Sequence, residues 1–279
     1  MKIDLHCHSR ASDGSLTPTE LVQRAINQQV SILALTDHDT IAGLAEAKVA
    51  ANGSSLKVID GVEISTSWRN WEIHIVGLNF DIDNEPLQQL LMRQSHWRQQ
   101  RAELIEQKLV KRGFDGVLAQ ARVYADGGNI GRSHFAKAMV DMGLVATPQL
   151  AFDKYLGKGE SAYVGNQWCP LAEAVAHINN AGGMAVLAHP AKYQLSNKWL
   201  RMLTADFVEA GGEAIETIHC QQNQQQQQFL QLLAKEQNLL LSAGSDFHGP
   251  SRWLELGRGL HRPDQPGVWH HFGWIEEGQ

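Results

Sequence analysis

A chain of 279 residues, 43% hydrophobic and 19% charged, has room for one large α/β domain, with or without a small insertion. Its net charge of -6 argues against a protein that grips long nucleic acid across a broad basic face, though it leaves room for a local positive pocket. Three widely spaced cysteines, Cys7, Cys169 and Cys220, give neither a disulfide framework nor a thiolate zinc site, and no apolar run approaches the roughly 18 residues of a membrane span. A reducing, cytoplasmic setting is expected.

The chain opens on Ile3-Asp4-Leu5-His6-Cys7-His8, a short apolar strand running into two histidines and, after a polar bend, Asp13. Residues i and i+2 of an extended chain face the same side, so His6 and His8 present two imidazoles to one centre while Cys7 turns away. Thr17-Pro18-Thr19-Glu20 combines a cap, a first-turn proline and a capping-box glutamate, and predicts a helix to about Gln29. Ser31 to Leu35 reads as a buried parallel strand ending in Thr36-Asp37-His38-Asp39, and a helix from about Ile41 to Ala51 follows. A strand near Lys57 to Ile64 then carries Glu63, and Trp71 to Phe80 alternates as a strand with His74 in its middle. No helix separates these two strands.

From Pro86 to Arg112 the periodicity is helical and polar-rich, and shorter helical patterns follow to Leu156. Roughly residues 98 to 165 are expected to form an inserted helical cap, with 1–97 and 166–279 making the main domain. Within the insertion, the glycine-rich loop Asp126 to His134 is either a plain turn or a place where backbone N–H groups approach a ligand. Strand and helix then alternate through Met184 to Ala188, which delivers His189, then Glu213 to Ile218, and finally Leu239 to Ala243, which delivers Asp246 and His248. This alternation indicates a parallel α/β sheet, most simply closed into a barrel. The run Gln221 to Gln228 reads as a solvated helix face without chemistry.

His6, His8, Asp13, His38, Glu63, His74, His189, Asp246 and His248 therefore gather at strand ends, and in a parallel barrel all such ends meet on one rim. Nine donors exceed the needs of one ion and suit a cluster of about three. His96, His177, His219, His261, His270 and His271 lie outside these motifs and read as non-catalytic.

The motifs His6-x-His8, Thr36-Asp37-His38-Asp39, Gly61-Val62-Glu63, Ala188-His189-Pro190 and Ser245-Asp246-Phe247-His248 resemble the polymerase and histidinol phosphatase (PHP) superfamily across nearly the whole chain. Glu72 to Leu78, Gln167 to Cys169 and Ala188 to Tyr193 further resemble its RNase AM exoribonucleases and 3′,5′-nucleoside bisphosphate phosphatases. The resemblance implies a distorted (β/α)7 barrel and a trinuclear, usually manganese, phosphoesterase site. One ion would take His6, His8, Glu63 and Asp246; a second Glu63, His74 and His189; a third Asp13, His38 and His248. Three divalent ions against three carboxylates leave a cluster of about +3 that draws phosphate.

The expected substrates are nucleoside 3′,5′-bisphosphates and short single-stranded RNA with a 5′-phosphate, and long duplexes and membranes are not expected partners. Arg132, Ser133 and His134 are candidates for a second phosphate, with Arg10, Lys192 and Tyr193 as further ones. Trp68 and Trp71 are candidates for base stacking. Three rivals remain: a histidinol-phosphate-type phosphatase, an amidohydrolase, which needs a strand-end lysine where this chain offers Glu63 and His74, and a non-catalytic nucleotide-binding module.

Overall fold

The computed structural model describes residues 1–165, 167–219, 222–260 and 267–275. Cys220, Gln221, His261 and the expected domain boundary at residue 166 lie outside them. The strands are β1 (Lys2–Asp4), β2 (Val30–Leu35), β3 (Lys57–Trp68), β4 (Trp71–Leu78), β5 (Cys169–Pro170), β6 (Met184–Leu187), β7 (Ala214–Ile218) and β8 (Leu240–Ala243). The helices are α1 (Pro18–Asn27), α2 (Leu44–Ala51), α3 (Glu85–Val110), α4 (Val117–Ala125), α5 (Arg132–Asp141), α6 (Pro148–Ala151), α7 (Leu171–Asn180), α8 (Asn197–Glu209), α9 (Gln224–Glu236) and α10 (Val268–His271).

One mixed sheet runs β1-β2-β3-β4-β6-β7-β8, with the short β5 added to β3. Beyond β1 and β8 the two ends pair with each other: Leu5 N–H donates to the Ala243 carbonyl (2.9 Å), Asp246 N–H to His6 (2.8 Å) and His8 N–H to Phe247 (2.8 Å). The sheet thus closes into a barrel of seven strands plus β5. The expectation of a parallel sheet needs one correction, because β4 runs antiparallel to both β3 and β6. Only Arg69 and Asn70 join β3 to β4, and a parallel crossover needs a dozen residues or more.

Strand composition explains the layering. β6 and β7 are buried throughout, as strands covered on both faces must be. Thr17 and Glu20 form the capping box that starts α1. α3 is shared between two cores: Leu87, Leu90 and Leu91 pack on the barrel, whereas Ala102, Ile105 and Leu109 join a separate cluster with Val117, Phe135, Met139 and Leu156. Helix α5, which carries part of the second core, starts against the polar strand ends, with Ser133 Oγ 2.8 Å from Asp13 Oδ2. Among the described residues, no helix is long and apolar enough to cross a membrane.

Candidate metal centre

β1 continues into His6 and His8, both fully buried, and the closing hydrogen bonds to Phe247 and from Asp246 bring the segment after β8 alongside them. The positive φ of Asp246 (52°) and of His189 (29°) turns the chain sharply as it leaves β8 and β6. On β3, Glu63 and Ser65 share a face, and register pairs Ser65 with His74 of β4, so the reversed strand still sets His74 beside Glu63. The His74 Nδ1 to Glu63 Oε1 distance is 2.8 Å and that from His189 Nε2 is 2.9 Å.

The nine expected donors meet around Glu63. His6, His8, Glu63 and Asp246 each offer an atom within 4.8 Å of the others, as do His8, Asp13, His38 and His248, and likewise His38, Glu63 and His74. Their surroundings fit cations. His38 Nδ1 lies 2.9 Å from Glu63 Oε2, yet neither atom has a hydrogen-bond partner, and Asp13 Oδ1 is equally orphaned although buried. Buried polar atoms left without partners cost on the order of 1–3 kcal/mol each, so lone pairs converging this way are suited to metal rather than to protons. Burial alone raises the carboxyl of Glu63, but His38, His6 and His74 outweigh it and hold the group well below the usual range.

Further residues hold the donors in place. Glu216 of β7 sets Oε1 2.7 Å from His6 Nδ1 and accepts the His189 N–H with Oε2 at 2.7 Å. Gly244 permits that approach, since a Cβ there would lie 2.2 Å from His6 Cβ and 2.9 Å from Glu216 Oε1. Asp37 accepts from Ser9 N–H, Ser9 Oγ and Ser12 Oγ, folding the bend that carries Asp13. Tyr193 Oη accepts the His74 N–H at 2.8 Å.

Beside the donors a cavity of about 150 Å³ is lined by Asp13, His38, His74, Glu72, Arg98, Arg101, Arg132 and Ser133. Arg98 is buried and bound to Asp39 Oδ2 (2.8 Å) and Ser65 Oγ (2.7 Å). Arg101, also buried, has no partner for its Nη2. Glu72 lies 3.1 Å from Arg132 Nη2 and 3.7 Å from Arg101 Nη1. Trp168 donates Nε1–H to Glu72 Oε1 (2.7 Å) and lies under both Arg98 and Arg101. Burial would raise the Glu72 carboxyl, but Arg132 and Arg101 bring it down to about 2.

Other expectations need correction. Ser133 and Arg132 do line the cavity, but His134 is buried: its Nδ1 accepts the Gly131 N–H (3.0 Å) and closes the start of α5. The glycine-rich loop clasps the barrel instead of offering N–H groups to a ligand, with Asn129 donating to the His38 and Asp39 carbonyls and Gly128 pressed against the Arg10 backbone. Arg10 points away from the cavity, donating to the Ser15 carbonyl (3.1 Å) and lying 3.7 Å from Asp126. Trp68 and Trp71 sit on the strand faces opposite Glu63 and His74, packed against Trp199 of α8, Trp68 edge-to-face and Trp71 at a tilt. Lys192 forms an ion pair with Asp246.

The family profile described as PHP domain matches residues 4–156. The 5′-3′ exoribonuclease Rnm of Escherichia coli is 47% identical over 95% of this chain and 92% of its own length. A 3′,5′-nucleoside bisphosphate phosphatase of Chromobacterium violaceum is 41% identical over 95% and 93%. In three dimensions, a Chromobacterium violaceum protein described as an amidohydrolase, with bound sulfate, superposes with a TM-score of 0.90 at 38% identity, covering 98% of this chain and 96% of its own.

Proposed function

The chain belongs to the PHP domain family and is a hydrolase of phosphate esters, and from that premise we propose that it removes the 3′-phosphate of nucleoside 3′,5′-bisphosphates and the 5′-terminal nucleotide of short single-stranded RNA. One observation carries this reading: Asp13, His38 and His74 belong at once to the donor cluster and to the wall of the cavity that holds Arg98, Arg101 and Arg132. Two phosphates separated by one nucleoside suit such a pair of neighbouring sites. Hydrolysis at the cluster with the 5′-phosphate in the arginine cavity yields a nucleoside 5′-monophosphate from either substrate. Repetition gives 5′ to 3′ exoribonuclease action.

His6, His8, Glu63 and Asp246 would hold one ion, Glu63, His74 and His189 a second, and Asp13, His38 and His248 a third. Three ions, manganese by the imidazole-rich donor set, supply Lewis-acid charge to the phosphoryl oxygens and a nucleophile at neutral pH. The chain's own part is to place the substrate. Arg132 and the free Nη2 of Arg101 offer donors to the 5′-phosphate, and Glu72 between them orients both guanidinium groups. Ser133 Oγ, 2.8 Å from Asp13 Oδ2, ties the start of α5 to the cluster. Residues 98–165 act as a cap over the rim. The two described cysteines, Cys7 and Cys169, are buried free thiols, which supports a cytoplasmic setting.

A histidinol-phosphate-type phosphatase would share the cluster but has no use for three arginines beside it. Hydrolysis of C–N bonds, suggested by the name of the structural neighbour, asks for a lysine among the donors, and Lys192 is engaged with Asp246 instead.

Arg132→Ala tests the assignment. A charged hydrogen bond contributes roughly 1.5–3 kcal/mol, so kcat/KM on 5′-phosphorylated dinucleotides should fall about 10 to 150-fold, with much less change on 5′-hydroxyl ones. Equal losses on both substrates, or no wild-type preference for the phosphate, would remove the 5′-phosphate pocket.

A further inference from the structure

With the terminal phosphate held in the arginine cavity, an RNA longer than two residues leaves the cluster on another side. A second cavity, of about 390 Å³, begins one residue past Asp13 and is lined by Arg10, Gly14, Ser15, Tyr124, Asp126 and Lys137. Its floor is tied directly to the donors, because Ser15 N–H binds the carbonyl of His248 at 2.7 Å, and His248 Nε2 lies 3.1 Å from Asp13 Oδ1. Asp13 therefore stands between the two cavities. α5 spans both as well: Ser133 faces the first and Lys137 the second, one turn or about 6 Å further along the helix.

We infer that this second cavity is the exit groove for the downstream nucleotides of single-stranded RNA, with Lys137 and Arg10 holding their phosphates. The inference rests on the exoribonuclease reading. Lys137 is half-buried in the groove and, among the described residues, has no ion-pair partner within 4 Å, although Asp126 lines the same groove and pairs with Arg10, so its ammonium group is not taken up by a protein ion pair. Arg10 is held only by the exposed Asp126 and the Ser15 carbonyl, and exposed pairs of that kind are worth about 0–1 kcal/mol, which leaves the guanidinium available to a phosphodiester. The aromatic ring of Tyr124 on the same wall offers a base-stacking surface. On the other side of Arg10, a cavity of about 400 Å³ contains Glu46 and Asp126 and no cation besides Arg10, so the RNA path runs past Lys137.

Lys137→Ala and Lys137→Glu, each loaded with manganese, are to be compared with wild type on a nucleoside 3′,5′-bisphosphate, a 5′-phosphorylated dinucleotide and a 5′-phosphorylated ten-residue RNA, over a series of salt concentrations. The expected result is a loss of about 10-fold or more in kcat/KM for Lys137→Glu on the ten-mer, with the two short substrates changed less than about twofold. For Lys137→Ala, the slope of log kcat/KM against log salt on the ten-mer should become shallower by about 0.7, the value for one single-strand phosphate contact. Unchanged ten-mer kinetics and salt slope in both variants, with wild type degrading the ten-mer, would overturn the groove and leave the exoribonuclease reading standing. A wild type that clears the bisphosphate but leaves every RNA intact would overturn the reading and the groove together. Equal losses on all three substrates would show that Lys137 supports the fold or the cluster, and would also overturn the groove.

Discussion

Oε1 of Glu216 lies 2.7 Å from Nδ1 of His6, and the other oxygen of the same carboxylate takes the backbone N–H of His189. One side chain thus fixes a donor from the first strand and the turn that carries a donor after the sixth. The carboxylate selects the His6 tautomer with its proton on Nδ1 and leaves Nε2 for the cluster. Glu216→Gln should weaken manganese binding by about 10 to 100-fold, as read by titration calorimetry on the metal-free protein. Wild-type affinity in that variant would show that the contact does not set the ligand.

Chelation should abolish activity, and manganese should restore it better than magnesium, because imidazole-rich donor sets disfavour hard, oxygen-seeking ions. His189→Ala or Asp246→Ala should lose nearly all turnover while keeping the wild-type far-ultraviolet circular dichroism spectrum. Full turnover after exhaustive metal removal would contradict the first expectation, and near-normal turnover in a variant would take that residue out of the site.

If residues 98–165 act as the proposed cap, only a chain end has room to enter the site. A circular single-stranded RNA should survive under conditions that consume its 5′-phosphorylated linear form completely. Efficient opening of the circle on a denaturing gel would mean that the cap admits a continuous strand.

His134 predicts a pH effect with a definite sign. Burial depresses its pKa to about 4, whereas an unfolded histidine titrates near 6.5. Between those values the unfolded chain binds the extra proton, so the stability tied to neutral His134 is complete above about pH 6.5 and lost as pH falls toward 4, about 3 kcal/mol in all. His134→Asn keeps an acceptor for the Gly131 N–H and should flatten the urea-midpoint profile of the metal-free protein over that range. Parallel profiles for wild type and variant would refute this.

Much of this arrangement is written in local sequence. An apolar run that ends in His, Asp or Glu marks a buried strand and its rim together, which is why the donors at β1, β2, β6 and β8 are legible without coordinates. The arginine cavity is hidden by its helix. Gln94, Arg98 and Arg101 make α3 look solvated, yet their i, i+4, i+7 spacing puts them on one face, and all three are buried. Glu216 is hidden differently, as one carboxylate within the five wholly buried residues of β7, and that anomaly was the signal to follow. The reversal of β4 was implied by the missing helix after Trp68. Arg10 and His134 do not line the arginine cavity, since adjacency along the chain says nothing about which way a side chain leaves a bend or a helix start.

The seam at which the barrel closes also sets an order of assembly. Residues 5, 6 and 8 pair with the segment from 243 to 247, so β1 waits for β8 before two of the three donor groups are whole. The group of His38, Glu63 and His74 needs no such wait. During synthesis this stretch of chain can therefore offer a cation only that one partial site, and the full donor cluster comes into being when the segment after β1 meets the segment after β8.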